Sequence, residues 1–280
     1  MDTYKVAARQ PSDMSILGLP IHRVGSPEIL EFIGFVIERR EKAIVPHLNI
    51  HAMNLALKHS WLYSFFSEAH LVQCDGDGVR WGLRILGFSP PPKVTYNSWF
   101  SDLCDFCQRN RYSIYLLGAQ KGVADAAAVK ARAQFPNLQI AGTHHGYFAK
   151  DGVENDGVIE DINSARPDIL LTCFGMPEQE RWIRNNWAKI HSHVFLSGGA
   201  SLDYAAGRIA RAPRWMVVAN LEWFFRLLLE PRRLFRRYLL GNPYFMYRVL
   251  LEKFYRHKRT PRRQACDEHQ RPVASAESDK

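Results

Sequence analysis

Asp75-Gly76-Asp77-Gly78 is the sharpest chemical feature of this 280-residue chain. A carboxylate at the end of a strand can take a proton from an attacking hydroxyl. An Asp-x-Asp pair can also hold a divalent cation, and an Asp before a helix can simply cap it. The local pattern leaves all three readings open. Gly118-Ala119-Gln120-Lys121-Gly122 could offer backbone N–H groups to a diphosphate at a helix start, or form only a tight βα loop. It lacks the full G-x-G-x-x-G spacing, which argues against a dinucleotide site. His144-His145-Gly146-Tyr147 could ligate a metal or stack on a base. Neighbouring strand residues point to opposite faces, which weakens the metal reading. Cys104-Asp105-Phe106-Cys107 is a lone C-x-x-C in a predicted helix, so packing is expected rather than zinc.

Such groups need a scaffold, and the chain alternates strand and helix signals. Residues 1–40 read as an adaptor, with a short strand and turn at Ile16–Ile21 and a helix opened by Ser26-Pro27-Glu28. Strands are predicted at Ala43–Asn49, Leu71–Cys74, Ser113–Leu117, Leu138–Gly142, Asp168–Thr172 and Val194–Leu196. Helices are predicted at 51–66, from Gly78 to Leu86, and at 122–134, 153–164 and 178–189. The alternation predicts an α/β fold, a mostly parallel Rossmann-like sheet flanked by helices. In such sheets ligands bind outside the carboxyl ends of the strands. The loops 47–54, 75–79, 118–122, 143–148, 174–180 and 197–203 should therefore converge.

Beyond residue 207 the pattern changes. Residues 208–263 hold 15 of the 37 Lys/Arg and 3 of the 28 Asp/Glu, a net of +12; the rest of the chain nets −3. Such a block needs an anionic partner: lipid, diphosphate or nucleic acid. A helix is predicted over Trp215–Leu229, with Glu222, Arg226 and Glu230 as its polar stripe. In 232–239, Arg232, Arg233, Arg236 and Arg237 share one helical face, opposite Leu234, Phe235, Tyr238 and Leu239. That suits an interfacial membrane helix. Gly241-Asn242-Pro243 should break the helix before another at 244–257, and 264–280 is a polar tail expected to be disordered. The domain reading is thus 1–207 for the α/β body, 208–263 for a helical appendage and 264–280 for the tail. Five Cys of irregular spacing suit a reducing compartment. No signal-peptide core follows Met1, and no apolar run reaches about 18 residues.

The run Gly175-Met176-Pro177-Glu178-Gln179-Glu180-Arg181-Trp182-Ile183 resembles the G-x-P-x-Q-E-x-W-I signature of the WecG/TagA/CpsF glycosyltransferases, glycosyltransferase family 26. Asp75-Gly76 with Gly78-Val79, Gly142–Phe148, Gly198-Gly199 with Asp203, and Arg211–Met216 are similar to further family runs. So are Leu221-Glu222-Trp223, Glu230–Arg233 and Arg236-Arg237-Tyr238.

The resemblance implies an inverting, metal-independent transferase without a cofactor. It would move a sugar from a UDP donor to an undecaprenyl-diphosphate-linked saccharide at the cytoplasmic membrane face. N-acetylmannosamine, its uronic acid and glucose are the candidate sugars. Asp75 stands where the family has its proposed base, and Asn49 matches a substrate-contacting Asn. Further contacts are expected from His47, Asp77, Thr95, Asn97, Gly118, Gln120, His145, Gly146 and Tyr147. Gln179 and Glu180 are expected in the loop at the nucleotide site, Gly175, Gly198 and Gly199 among the substrate contacts, and Arg214, Arg232, Arg233, Arg236 and Arg237 at the lipid or diphosphate. The expected partners are the donor, the lipid-linked acceptor, an anionic membrane surface and, in a homo-oligomer, further copies of the chain. The protein would attach peripherally to the inner face of the membrane. His47 replaces a frequent Thr, Asp77 a frequent apolar residue, and Lys93-Val94-Thr95-Tyr96-Asn97-Ser98 departs from R-V-T-G-x-D. The competing readings are a basic nucleic-acid-binding protein without transferase activity and, disfavoured by the incomplete glycine fingerprint, an NAD enzyme.

Overall fold

The structure is a computed structural model that describes residues 5–94, 96–218 and 221–268. Edge strand β1 (Lys5–Val6) precedes a hairpin of β2 (Met14–Ile16) and β3 (Leu19–Ile21). Leu17 and Gly18, both with positive φ, close that hairpin with the twist its strands need. α1 (Ser26–Glu38) opens with Pro27 in its first turn and Glu28 reaching back to the Gly25 amide at 2.8 Å. Then come β4 (Glu41–Val45), β5 (His47–Leu48), α2 (Ile50–Ala56) and α3 (Ser60–Glu68). The predicted single helix 51–66 is thus two helices. The polar Lys58-His59-Ser60 interrupts its apolar face, and an extended His59 lets Leu62, Phe65 and Phe66 turn into the core.

The middle of the chain follows the predicted beat. It runs β6 (Gln73–Cys74), α4 (Asp77–Ile85), α5 (Tyr96–Asn110), β7 (Ser113–Gly118), α6 (Val123–Gln134) and β8 (Gln139–His144). It continues through α7 (Gly152–Ala165), β9 (Ile169–Cys173), α8 (Glu178–Asn186), β10 (Val194–Ser197) and α9 (Ser201–Ala205). Six parallel strands stand in the order β1-β4-β10-β9-β7-β8, while β5 and β6 pair separately. The fold is therefore α/β and Rossmann-like. Alternate residues pack on opposite faces: Ile114, Leu116, Ile169, Leu171, Val194 and Leu196 join one core. Tyr115, Leu117, Leu170 and Phe195 join the other. Both faces are covered by helices, as a parallel sheet requires.

The C-terminal segment comprises α10 (Arg214–Val218), α11 (Glu222–Leu229), α12 (Pro231–Phe235), a π-helical turn over Arg236–Leu240, and α13 (Gly241–Glu268). The predicted helix 215–229 is divided, with Leu221 outside helical geometry. Gly241-Asn242-Pro243 does not break the chain. Gly241 continues from the π turn by donating to the Arg236 carbonyl, and Pro243 falls in the first turn of α13. Residues 264–268, expected in the tail, end α13, and 269–280 lie outside the described residues.

This segment is built into the body. Phe245 and Val249 are fully buried in the core beneath α4. A Cβ on Gly82 would stand 3.0 Å from the Phe245 ring and 2.6 Å from Ile16, so only glycine lets α13 approach this closely. Asn54 Nδ2 donates to the Gly241 carbonyl at 2.8 Å, and Glu252 accepts from the Leu17 amide at 2.7 Å. Phe245→Ala should lower unfolding stability by about 3–5 kcal/mol, the usual cost of emptying a buried phenylalanine site. Chemical denaturation checks it; a loss below about 1 kcal/mol would mean that α13 lies outside the cooperative core.

Candidate active site

The loops at the carboxyl edge of the sheet are tied to one another in strand order. The Ala119 amide donates to the Cys173 carbonyl at 3.0 Å, joining the ends of β7 and β9. Gly118 adopts φ +144° there, and a Cβ would stand 2.4 Å from that carbonyl oxygen. The Gly146 amide donates to Ala119 O at 2.8 Å, joining β8. Gln179 Oε1 accepts from the amides of Gly175 and Gly199 at 3.2 and 3.0 Å, joining β9 to β10. His47 Nδ1 meets the Ser197 carbonyl at 2.5 Å, joining β10 to β5. Asn49 Nδ2 donates to Asp75 Oδ2 at 3.2 Å, joining β5 to the end of β6.

Asp75 lies at the end of that series. Its amide donates to Leu48 O at 3.1 Å, and it bridges to Val94. Asn49 is the N-cap of α2: its Oδ1 accepts from the Ala52 amide at 3.0 Å, which turns the NH₂ toward Asp75. His47 is buried and places Nε2 3.8 Å from Asp75 Oδ2. Burial is the largest influence on His47 and lowers its pKa. Asp75 and the Ser197 carbonyl act against that, and Arg237 adds to it. The Asp75 side chain keeps 24% of its surface exposed, enough for a hydroxyl to reach it.

Asp77 sits differently. Its Oδ1 meets Arg80 at 3.0 Å and its Oδ2 meets Lys93 at 2.7 Å. Lys93 also reaches Glu222 at 3.2 Å, linking the loop after α4 to α11. Among the described residues no group of three or more His, Cys, Asp or Glu is gathered to hold a metal ion.

Cations from the C-terminal segment face the site. Arg226 lies 5.6 Å over the Tyr204 ring, and its buried Nε has no hydrogen-bond partner among the described residues. Burial opposes its charge, but Tyr238, Tyr204, Asp75 and Glu230 outweigh that and raise its pKa. Sequence reasoning placed Arg226 in a polar stripe without assigning it to the site; a polar stripe on an otherwise apolar helix was the available signal. Arg237 is partly buried and acts on His47, whereas Arg232 and Arg236 are exposed. Arg237 thus differs from Arg232 and Arg236 in exposure: it lies three residues on from the buried Leu234, on the side of the helix that meets the body.

The remaining expected residues divide. Gln179 and Glu180 are fully buried, with Gln179 Nε2 donating to Glu180 Oε1 at 2.7 Å. They hold loops together from within. Gln120 and Tyr147 are exposed, and His145 and Tyr147 line a cleft of about 410 Å³ with His144 and Phe148 beyond the end of β8. Gly198 sits tight against Cys173 and Leu171. Thr95 lies outside the described residues, as do the side chains of Asn97, Arg214 and Arg233.

A part-exposed carboxylate is thus held at the carboxyl edge of a parallel sheet, with Arg226 acting on it electrostatically. Residues 14–259 match the glycosyl transferase WecG/TagA/CpsF family, and the chain belongs to it. The protein is thus a glycosyltransferase. It is 30% identical over 217 residues to an N-acetylglucosaminyldiphosphoundecaprenol N-acetyl-beta-D-mannosaminyltransferase of Bacillus subtilis (strain 168), covering 78% of this chain and 82% of the relative. It is 27% identical over 242 residues to the similarly named protein of Staphylococcus aureus (strain MRSA252), covering 86% and 93%.

Glu180 makes part of the site's stability dependent on pH. Desolvation is the largest influence and raises its pKa to about 7, against the Gln179 hydrogen bond and a backbone amide. The folded state binds this proton more tightly than the unfolded chain. The contribution is therefore complete below the ordinary value of 4.5 and is lost as pH rises through about 7. Glu180→Gln should keep the neutral form at every pH. Its denaturation midpoint should gain on the wild type between pH 5 and about pH 8; a constant difference across that range would exclude a raised Glu180 pKa.

Proposed function

We propose that the protein transfers N-acetylmannosamine from a UDP donor to an undecaprenyl-diphosphate-linked saccharide at the cytoplasmic face of the membrane. The names of the relatives supply the sugar and the acceptor class. The observation that carries the chemistry is the Asp75 carboxylate, fixed through Asn49 and open to a substrate hydroxyl. Asp75 takes the proton of the acceptor hydroxyl as its oxygen attacks the anomeric carbon from the face opposite the diphosphate, inverting that carbon. Charge then grows on the departing UDP. Arg226 and Arg237 bring fixed cations to the site, and the guanidinium fork of Arg226 suits a phosphate.

The outer surface of the C-terminal segment supports peripheral attachment. No described helix is long and apolar enough to cross a membrane. Phe235, Leu239, Leu240, Tyr247 and Leu250 are all about half exposed or more, and Arg232 and Arg236 are exposed beside them. A basic and apolar surface of this kind suits an anionic interface better than nucleic acid.

Asp75→Asn keeps the shape and removes the base. Turnover of UDP-N-acetylmannosamine with a lipid-diphosphate acceptor should fall at least about a hundredfold, with UDP affinity little changed. Near-normal turnover would end the assignment, and parallel assays with UDP-glucose and the UDP-uronic acid decide the sugar. For attachment, each surface-near Arg contributes about 1 kcal/mol on an anionic membrane. The double reversal Arg232→Glu/Arg236→Glu should thus weaken binding to phosphatidylglycerol vesicles by at least about thirtyfold in co-sedimentation. Unchanged binding would remove the membrane from the proposal.

A further inference from the structure

The hydrogen chemistry of His47 is fixed by its neighbour. A main-chain carbonyl only accepts, so the 2.5 Å contact with Ser197 O places a proton on Nδ1. In the neutral ring the lone pair then sits on Nε2, 3.8 Å from Asp75 Oδ2. Two acceptors face one another across that gap, so a proton that arrives on either is within reach of the other. Asn49 donates to the same Oδ2, which leaves the other carboxylate oxygen for a substrate hydroxyl.

We propose that His47 and Asp75 act as one proton-accepting pair, in which Asp75 takes the acceptor's proton and Nε2 of His47 then holds it. The kinetic part rests on the transferase reading above. The acceptor O–H bond breaks as an O–H bond forms on Asp75. A half-turn of the carboxyl about Cβ–Cγ carries that hydrogen to Nε2, where an N–H bond forms and Asp75 regains its charge. The acceptor oxygen's electron pair makes the new bond to the anomeric carbon, and the bond to the diphosphate oxygen breaks with its pair leaving on UDP. His47 acts through Asp75 and is a positioning residue.

The charged groups facing the pair come from several elements. Asp75 and the Ser197 carbonyl favour the imidazolium, Arg237 and burial oppose it, and Arg226 faces Asp75 from α11. Opposition by burial and Arg237 keeps the ring neutral near neutral pH, ready to receive a proton, while Asp75 supplies the counter-charge once it does.

Two measurements on the full chain test the pair. In ¹⁵N-histidine NMR, His47 should show the Nδ1–H tautomer, and Asp75→Asn should lower its titration midpoint by at least about one unit, because a carboxylate within reach favours the imidazolium. The other tautomer, or an unchanged midpoint, would overturn the proposal whether or not the protein transfers a sugar. In the pH profile of kcat/KM, the acid limb of the wild type should follow the His47 titration. In His47→Gln it should move down toward the ordinary carboxylate range near about 4, with a lower kcat. A limb that stays in place while kcat falls would reduce His47 to packing. If the wild type turns over none of the UDP-sugars, the transferase reading fails, and the NMR result alone decides the pair.

Discussion

The site depends on a strand that changes sheets. β4 runs beside β10 as far as Val45, which stands opposite Leu196. The next residue is Pro46, whose nitrogen has no hydrogen to give to a ladder. Its carbonyl instead accepts from the Gln73 amide at 3.1 Å, and β5 pairs with β6 through His47↔Gln73 and Leu48↔Cys74. One step further along each strand stand Asn49 and Asp75. The departure from the main sheet therefore sets the base and its amide partner side by side. It also leaves His47 between the two sheets, with Ser197 on one side and Asp75 on the other.

Little else in the site is free to vary once that geometry is set. Asn49 serves two neighbours with one amide, so losing the cap of α2 and losing the orientation of Asp75 are the same event. Gln179 does the equivalent work across β9 and β10, with one oxygen taking two backbone amides. The amides of Gly175 and Gly199 are partly buried, and the fully buried Gln179 meets both from within the body, beside a Glu180 whose pKa burial raises to about 7.

The sheet was legible because its signals are local. Short apolar runs ending in Gly or polar clusters marked the six strand positions from Ala43 to Val194 within a few residues, and the carboxyl-edge rule brought their loops to one place. Asp75 and Asn49 were legible as chemistry on a strand end and by family resemblance. Local signals failed where long-range packing decides. A helical wheel over 232–239 groups the apolar side chains but does not say which of them meets the body. The contact centres on Leu234, which is buried, while Phe235, about 100° further round, is 54% exposed, and Arg237, one turn on from Leu234, is partly buried where Arg232 and Arg236 are exposed. Gln179 and Glu180 were legible as important residues, but nothing in their spacing told a buried tie from a ligand contact.

The same stretch of helix ties the two ends of the proposed function together. One short stretch sends Leu234 into the body, Arg237 toward His47, and Phe235, Leu239 and Leu240 out to solvent. α13 continues it without a break and anchors in the core at Phe245 and Val249. A force on the outward apolar side chains has no flexible linker in which to dissipate between them and Arg237. On the attachment proposed above, a lipid surface seated against that outer face would be joined by a few residues of continuous helix to Arg237, whose charge acts on His47. A membrane anchor hung from an independent body would keep its helices clear of the core, whereas Leu234 and Phe245 are both buried in this one.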